Sequence, residues 1–143
     1  MQQPAYHVHI YGPPRLTDLG SVPADAVKNR GQSTEQGQQS TIATTFENAM
    51  ARLQDLTPSV LTEPDGSIAW AGTEHQIVGI IYDAADQIQY VELRGHGQSK
   101  YWRLLLQTIA GTENVDRFSI MVLPNRQWKN FQSFERMLDE NAS

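Results

Sequence analysis

Tyr90-Val91-Glu92-Leu93-Arg94-Gly95-His96 alternates apolar and polar side chains, with an acid, a base and an imidazole at every second position. Successive side chains of a strand point to opposite faces, so Val91 and Leu93 share one side and Tyr90, Glu92, Arg94 and His96 share the other. A strand of this kind belongs to a sheet with one buried and one polar face. The rest of the chain tells what buries the first, and the second is where a functional surface belongs.

The same period recurs in Tyr6 to Tyr11, where Val8 and Ile10 oppose His7, His9 and Tyr11, before Gly12-Pro13-Pro14 ends the strand. Val60 to Thr62, the turn Glu63-Pro64-Asp65-Gly66 and Ser67 to Ala71 read as a hairpin, since proline presets the turn and glycine tolerates positive φ. Gln76 to Tyr82 and Ile88 to Arg94 form a second hairpin around Asp83-Ala84-Ala85-Asp86. Phe118 to Leu123 is nearly all apolar, as a central strand is, and Pro124-Asn125 stops it.

Three helices are expected. Thr44-Thr45-Phe46-Glu47 has the spacing of a capping box ahead of the stripe Phe46, Ala49, Met50, Leu53 and Leu56, and Pro58 ends that helix. Ser99 is placed to cap Lys100 to Ala110, whose Trp102, Leu105, Leu106 and Ile109 share a face and whose end is marked by Gly111. Phe131 to Glu140 presents Phe131, Phe134 and Leu138. The order β-α-β-β-β-β-α-β-α reads as α+β, with helices packed on one face of a largely antiparallel sheet. A ferredoxin-like sandwich with an enlarged meander is the favoured arrangement. It sets the first strand beside the strand of Glu92 and puts His7, His9, Tyr11, Tyr90, Glu92, Arg94 and His96 on the uncovered face.

The chain of 143 residues is read as one domain over 1–143. Gly31 to Ser40, G-Q-S-T-E-Q-G-Q-Q-S, has no large apolar residue and is expected to be a mobile loop, with one short helical turn before it at Pro23 to Asn29. Cysteine is absent, which removes disulfides, thiolate metal sites and cysteine nucleophiles. A net charge of −5 argues against a nucleic-acid binder. Arg94, Lys100 and Arg103 are the nearest approach to a basic patch. The start M-Q-Q-P-A-Y-H-V-H lacks the build of a signal peptide, and no apolar run reaches membrane-spanning length. A cytoplasmic domain of bacterial type, away from membranes, is expected.

From Thr44 onward the chain can also be threaded onto α-β-β-β-α-β, the core order of the nuclease superfamily named for its PD-(D/E)xK motif. Glu92-Leu93-Arg94 stands where Glu-x-Lys is needed, and there it resembles that motif in part. Such a site needs two carboxylates for a hard cation and a lysine for the attacking water. Arginine, always protonated and broad, replaces lysine poorly. Val78 and Gly79 occupy the position the aspartate needs, and Asp83 and Asp86 serve the turn. At most a degenerate relative that kept the fold is expected.

His7-Val8-His9 puts two imidazoles on one side of a strand, within reach of one zinc or iron ion, and Glu92 can complete the set. The plainer reading is an exposed polar face, with Glu92 and Arg94 a solvated ion pair worth under about 1 kcal/mol. Gly95-His96-Gly97 can hold a small anion through its amides, or be a tight connection and nothing more. His75 reads as part of a turn and the three tryptophans as core. No glycine-rich phosphate loop, G-x-S-x-G elbow or H-E-x-x-H is present. The expectation is therefore a non-catalytic binding or dimerising module that needs no cofactor. Its open face, with Tyr11, Tyr90, Glu92, Arg94 and His96, meets a protein partner or a twin subunit. The alternative is a metal-dependent hydrolase or nuclease-like enzyme using a divalent ion at His7, His9 and Glu92.

Overall fold

The computed structural model describes residues 5–14 and 40–141. Pro23 to Asn29 and all but Ser40 of the Gly31 to Ser40 loop lie outside the described residues. The elements are β1 (Tyr6–Tyr11), α1 (Phe46–Gln54), β2 (Leu61–Thr62), β3 (Ser67–Ala71), β4 (Gln76–Ala84), β5 (Gln87–His96), α2 (Ser99–Ala110), a 3-10 turn (Val115–Arg117), β6 (Ser119–Leu123), β7 (Gln127–Asn130) and α3 (Phe131–Asn141). The fold is α+β. Among the described residues seven strands form one antiparallel sheet in the order β2-β3-β4-β5-β1-β6-β7.

β1 lies between β5 and β6, with Val8 opposite Leu93 and Val122, and Ile10 opposite Val91 and Ile120. Val8, Ile10, Val91, Leu93 and Ile120 are fully buried and join the inner sides of the three helices in one apolar cluster. Burying a Val, Leu or Ile side chain contributes about 1.5–3 kcal/mol. These alternating positions therefore hold the register, because a one-residue slip would turn the whole set to water.

Several boundaries differ from expectation. The cap of α1 is Thr45, whose hydroxyl accepts from the Asn48 amide at 3.1 Å. The Glu47 amide is held by Asp86 Oδ1 at 3.1 Å, so a partner from the β4–β5 turn replaces the reciprocal capping box. α2 begins at Ser99 with Gln98 at the N-cap and no side-chain cap bond. Its other end is closed by Arg52 of α1, whose guanidinium donates to the carbonyls of Thr108 and Ile109 at 2.8 and 2.7 Å. Those are carbonyls a helix terminus leaves without internal partners. β7 was not expected. It returns beside β6 and pairs Trp128 with Met121, adding a strand to the expected order.

The Glu63–Gly66 turn forms as read. Gly66 has φ +100°, and a Cβ there would lie 2.3 Å from the Ile81 carbonyl oxygen. Gly79 meets a different demand: a Cβ on it would stand 1.9 Å from the Glu92 carbonyl oxygen. Its missing side chain lets β4 lie close along β5, at the rung where Leu93 fills the space.

Candidate functional site

The pairing registers determine which side chains share the face away from the helices. Counting outward from β1, one rung carries Val78, Arg94, His7 and Leu123, and the next carries Ile80, Glu92, His9 and Met121 with Trp128. A third carries Tyr82 and Tyr90, followed by Tyr11 and Ser119. Among the described residues in these rungs, Glu92 is the sole carboxylate.

Glu92 is the centre of the arrangement. The His7 Nε2–H donates to Glu92 Oε2 at 2.6 Å, and the Tyr82 hydroxyl donates to Glu92 Oε1 at 3.0 Å. His9 Nε2 and Arg94 Nη2 stand 3.7 and 3.6 Å from Oε2. The Glu92 side chain is 18 % exposed, against 64 % for Arg94. The hydrogen bond from His7 holds the Glu92 carboxyl below the ordinary glutamate range, and the bond from Tyr82 and the nearby imidazoles act in the same direction. Burial depresses His9, which favours its neutral imidazole. The bond to Glu92 raises Tyr82 above the ordinary phenol value, because ionising it would set two negative charges together.

One donor atom from each of His7, His9 and Glu92 lies within 4.8 Å of the other two. Metal–ligand bonds of about 2.0–2.2 Å keep donors around one ion within roughly 4.2 Å of each other, so small side-chain rotations close the set. Holding an ion through Nε2 would require His7 to carry its proton on Nδ1. Two imidazoles and a carboxylate suit zinc and the other borderline first-row ions, and three protein ligands leave coordination positions open.

The neighbouring rings pack against one another in a row across the strands. Tyr90 stacks on Tyr82 with centroids 4.5 Å apart and on Tyr11 at 5.2 Å, and Trp128 leans on Tyr11 at 5.5 Å. Both faces of Tyr90 are thus occupied by neighbours. The row is a wall beside Glu92 and offers no open ring face at Tyr90 for a flat ligand to stack on.

Other residues singled out in the sequence fall elsewhere. His96 ends β5 opposite Gln76 and is outside the three-residue group. β5 runs through His96, so Gly95-His96-Gly97 is not a free strand-to-helix loop. Arg103 is bound by Glu135 at 2.9 and 2.8 Å and by Asp116 at 2.7 Å, tying α2 to α3, and Lys100 lies over the Tyr101 ring. Arg94, Lys100 and Arg103 therefore form no common patch.

His75 is no surface turn residue. It is 5 % exposed, with its ring 4.1 Å from Trp70 and 4.3 Å from Tyr101, and neither ring nitrogen has a hydrogen-bond partner among the described residues. Trp70 and Trp102 are core as read, whereas Trp128 is half-buried on the outer face. Tyr82 and Trp128 are the members of the site that the sequence reading missed. The register shift between Tyr82 and Asp83 hides Tyr82, since rungs counted back from the turn would pair it with Gln89 and not with Tyr90; nothing in Gln127–Asn130 alone marks a strand.

Among the described residues no helix is long and apolar enough to cross a membrane. Compared with protein-family models, curated proteins and solved structures, the chain matches none.

Proposed function

We propose that this protein is a binding module whose open sheet face holds a divalent transition-metal ion between His7, His9 and Glu92. The observation that carries the reading is the convergence of three donor atoms within 4.8 Å on two paired strands. Further support comes from the outer positions of the set, where Tyr82 and the aromatic row hold the carboxylate and one wall of the site. Partners of that kind orient ligands before an ion arrives. The framework is read as ferredoxin-like: β4-β5-β1-β6 is the inner part of the sheet, and helices α1 and α2 link its strands.

The test is titration of tag-free protein with zinc by calorimetry and with cobalt(II) by visible absorption. One ion per chain is expected. His9→Ala and Glu92→Gln should each weaken binding by about 100-fold or more, beyond the 10–100-fold that follows loss of an outer-shell partner. Unchanged affinity in both folded variants would remove the reading.

A second reading is favoured by the exposure of apolar side chains on the same face. Leu61 is 72 % and Val78 38 % exposed, on one rung through Ala69. Such a strip suits a second copy of this chain packed face to face, as paired sheets do at about 10 Å. Metal-independent dimers that dissociate on Val78→Asp in sedimentation would support it.

A further inference from the structure

We infer that the ion at His7, His9 and Glu92 takes an oxyanion as its external ligand, with Arg94 as the second grip. The inference rests on the metal reading above and adds to it the chemical class of what binds there. The argument is one of charge and position. A divalent cation with two neutral imidazoles and one carboxylate keeps a net charge of +1. Arg94 adds another, on the rung next to Glu92 and directly opposite His7. Its Nη2 lies 3.6 Å from Glu92 Oε2, yet the side chain is 64 % exposed and so open to a ligand arriving from solvent. Glu92 is the sole carboxylate among the described residues of these rungs, and the ion engages it.

In a chain whose net charge is −5, this face is thus the place where positive charge would gather once an ion is bound. A ligand that satisfies it must present at least two acceptor oxygens, one for the ion and one for the guanidinium. Arginine recognises that geometry through its planar fork, which a point charge does not reproduce. Phosphate, or a phosphate monoester, has the oxygens and the charge. The faces of Tyr90 are taken by its tyrosine neighbours, so that ring adds no stacking platform to the anionic grip.

The experiment uses cobalt(II)-loaded protein, with inorganic phosphate and methyl phosphate as probes and the cobalt visible band as readout. A saturable change of the band is expected with phosphate. Arg94→Gln should weaken phosphate binding about 10-fold through loss of one charge-assisted contact, while cobalt affinity does not fall, because removing a cation beside Glu92 cannot weaken its hold on another. Arg94→Lys should recover only part of it. An equal response to methyl phosphate would mean that the site reads the head group of an ester, and a response to inorganic phosphate alone that it takes the free anion. Cobalt binding with no response to either probe overturns this inference and leaves the metal reading standing. So does a response that Arg94→Gln does not alter. Failure of the wild-type chain to bind cobalt or zinc overturns both.

Discussion

The Tyr82 hydroxyl reaches across from β4 to hold Glu92 Oε1 at 3.0 Å, and so leaves Oε2 facing His7 and His9. One oxygen of the carboxylate is committed to the wall and the other to the site. Tyr82 therefore acts through Glu92 by orienting it.

Tyr82→Phe removes that hydroxyl and keeps the ring stacked on Tyr90. Zinc affinity should fall about 10-fold, the lower end of what loss of an outer-shell partner costs. Stability in denaturant melts should change by less than about 1 kcal/mol, as for a single hydrogen bond near the surface. Phenylalanine at this position with undiminished zinc affinity would show that Glu92 is oriented by its other neighbours.

His75 makes stability depend on pH. Burial lowers its pKa from 6.5, with His96 acting in the same sense and Glu74 opposing. The groups around it are Trp70, Tyr101 with Lys100 over its ring, Glu74 and His96. Between the lowered folded value and 6.5 the unfolded chain holds more protons than the folded one. Stability therefore falls on acidification through about pH 6.5 and levels off once pH is below the folded value. His75→Phe, which keeps a ring between Trp70 and Tyr101, should flatten that part of the profile in urea melts between pH 8 and 5. An identical slope in the variant would place the titration elsewhere.

Gly66→Val should destabilise the fold by about 2 kcal/mol or more. A β-branched residue at positive φ carries about 1–3 kcal/mol of strain, and the new Cβ would also collide with the Ile81 carbonyl. Equilibrium denaturation measures it, and a change under about 0.5 kcal/mol would mean that the hairpin relaxes at little cost.

How much of this was legible in the sequence varies with the physics. Tyr6–Tyr11 and Tyr90–His96 declare their buried faces because alternation is a local signal. That His9 stands opposite Glu92 is not local: it depends on register between strands 83 residues apart in number, settled by which apolar groups pack against the helices. The burial of His75 is likewise imposed by Trp70 and Tyr101 from other elements, while its own neighbours Gly72, Thr73 and Glu74 read as turn. β7 escaped because Gln127–Asn130 has one apolar residue and no visible period. The helix caps moved by one residue or changed partner, since several hydroxyls and carboxylates near a terminus compete for the same amides.

β1 is the strand on which the continuity of the sheet depends. β5 and β6 share no pairing, so without β1 the seven-stranded ladder separates into β2–β5 on one side and β6–β7 on the other. Two new edges would then expose long rows of amides and carbonyls, each a template for pairing with another chain. β1 precedes both of its partners in the chain, so it cannot take its place until β5 and β6 have been made. Such distant pairing delays folding, because a long loop must close before its contacts repay it. The His7–His9–Glu92 cluster comes into being only at that closure. An ion held there would bind the finished sheet and not its parts, adding to the stability of the closed state about 2.7 kcal/mol at a hundred times its dissociation constant. The cluster would then act as a latch on the insertion of β1 between β5 and β6.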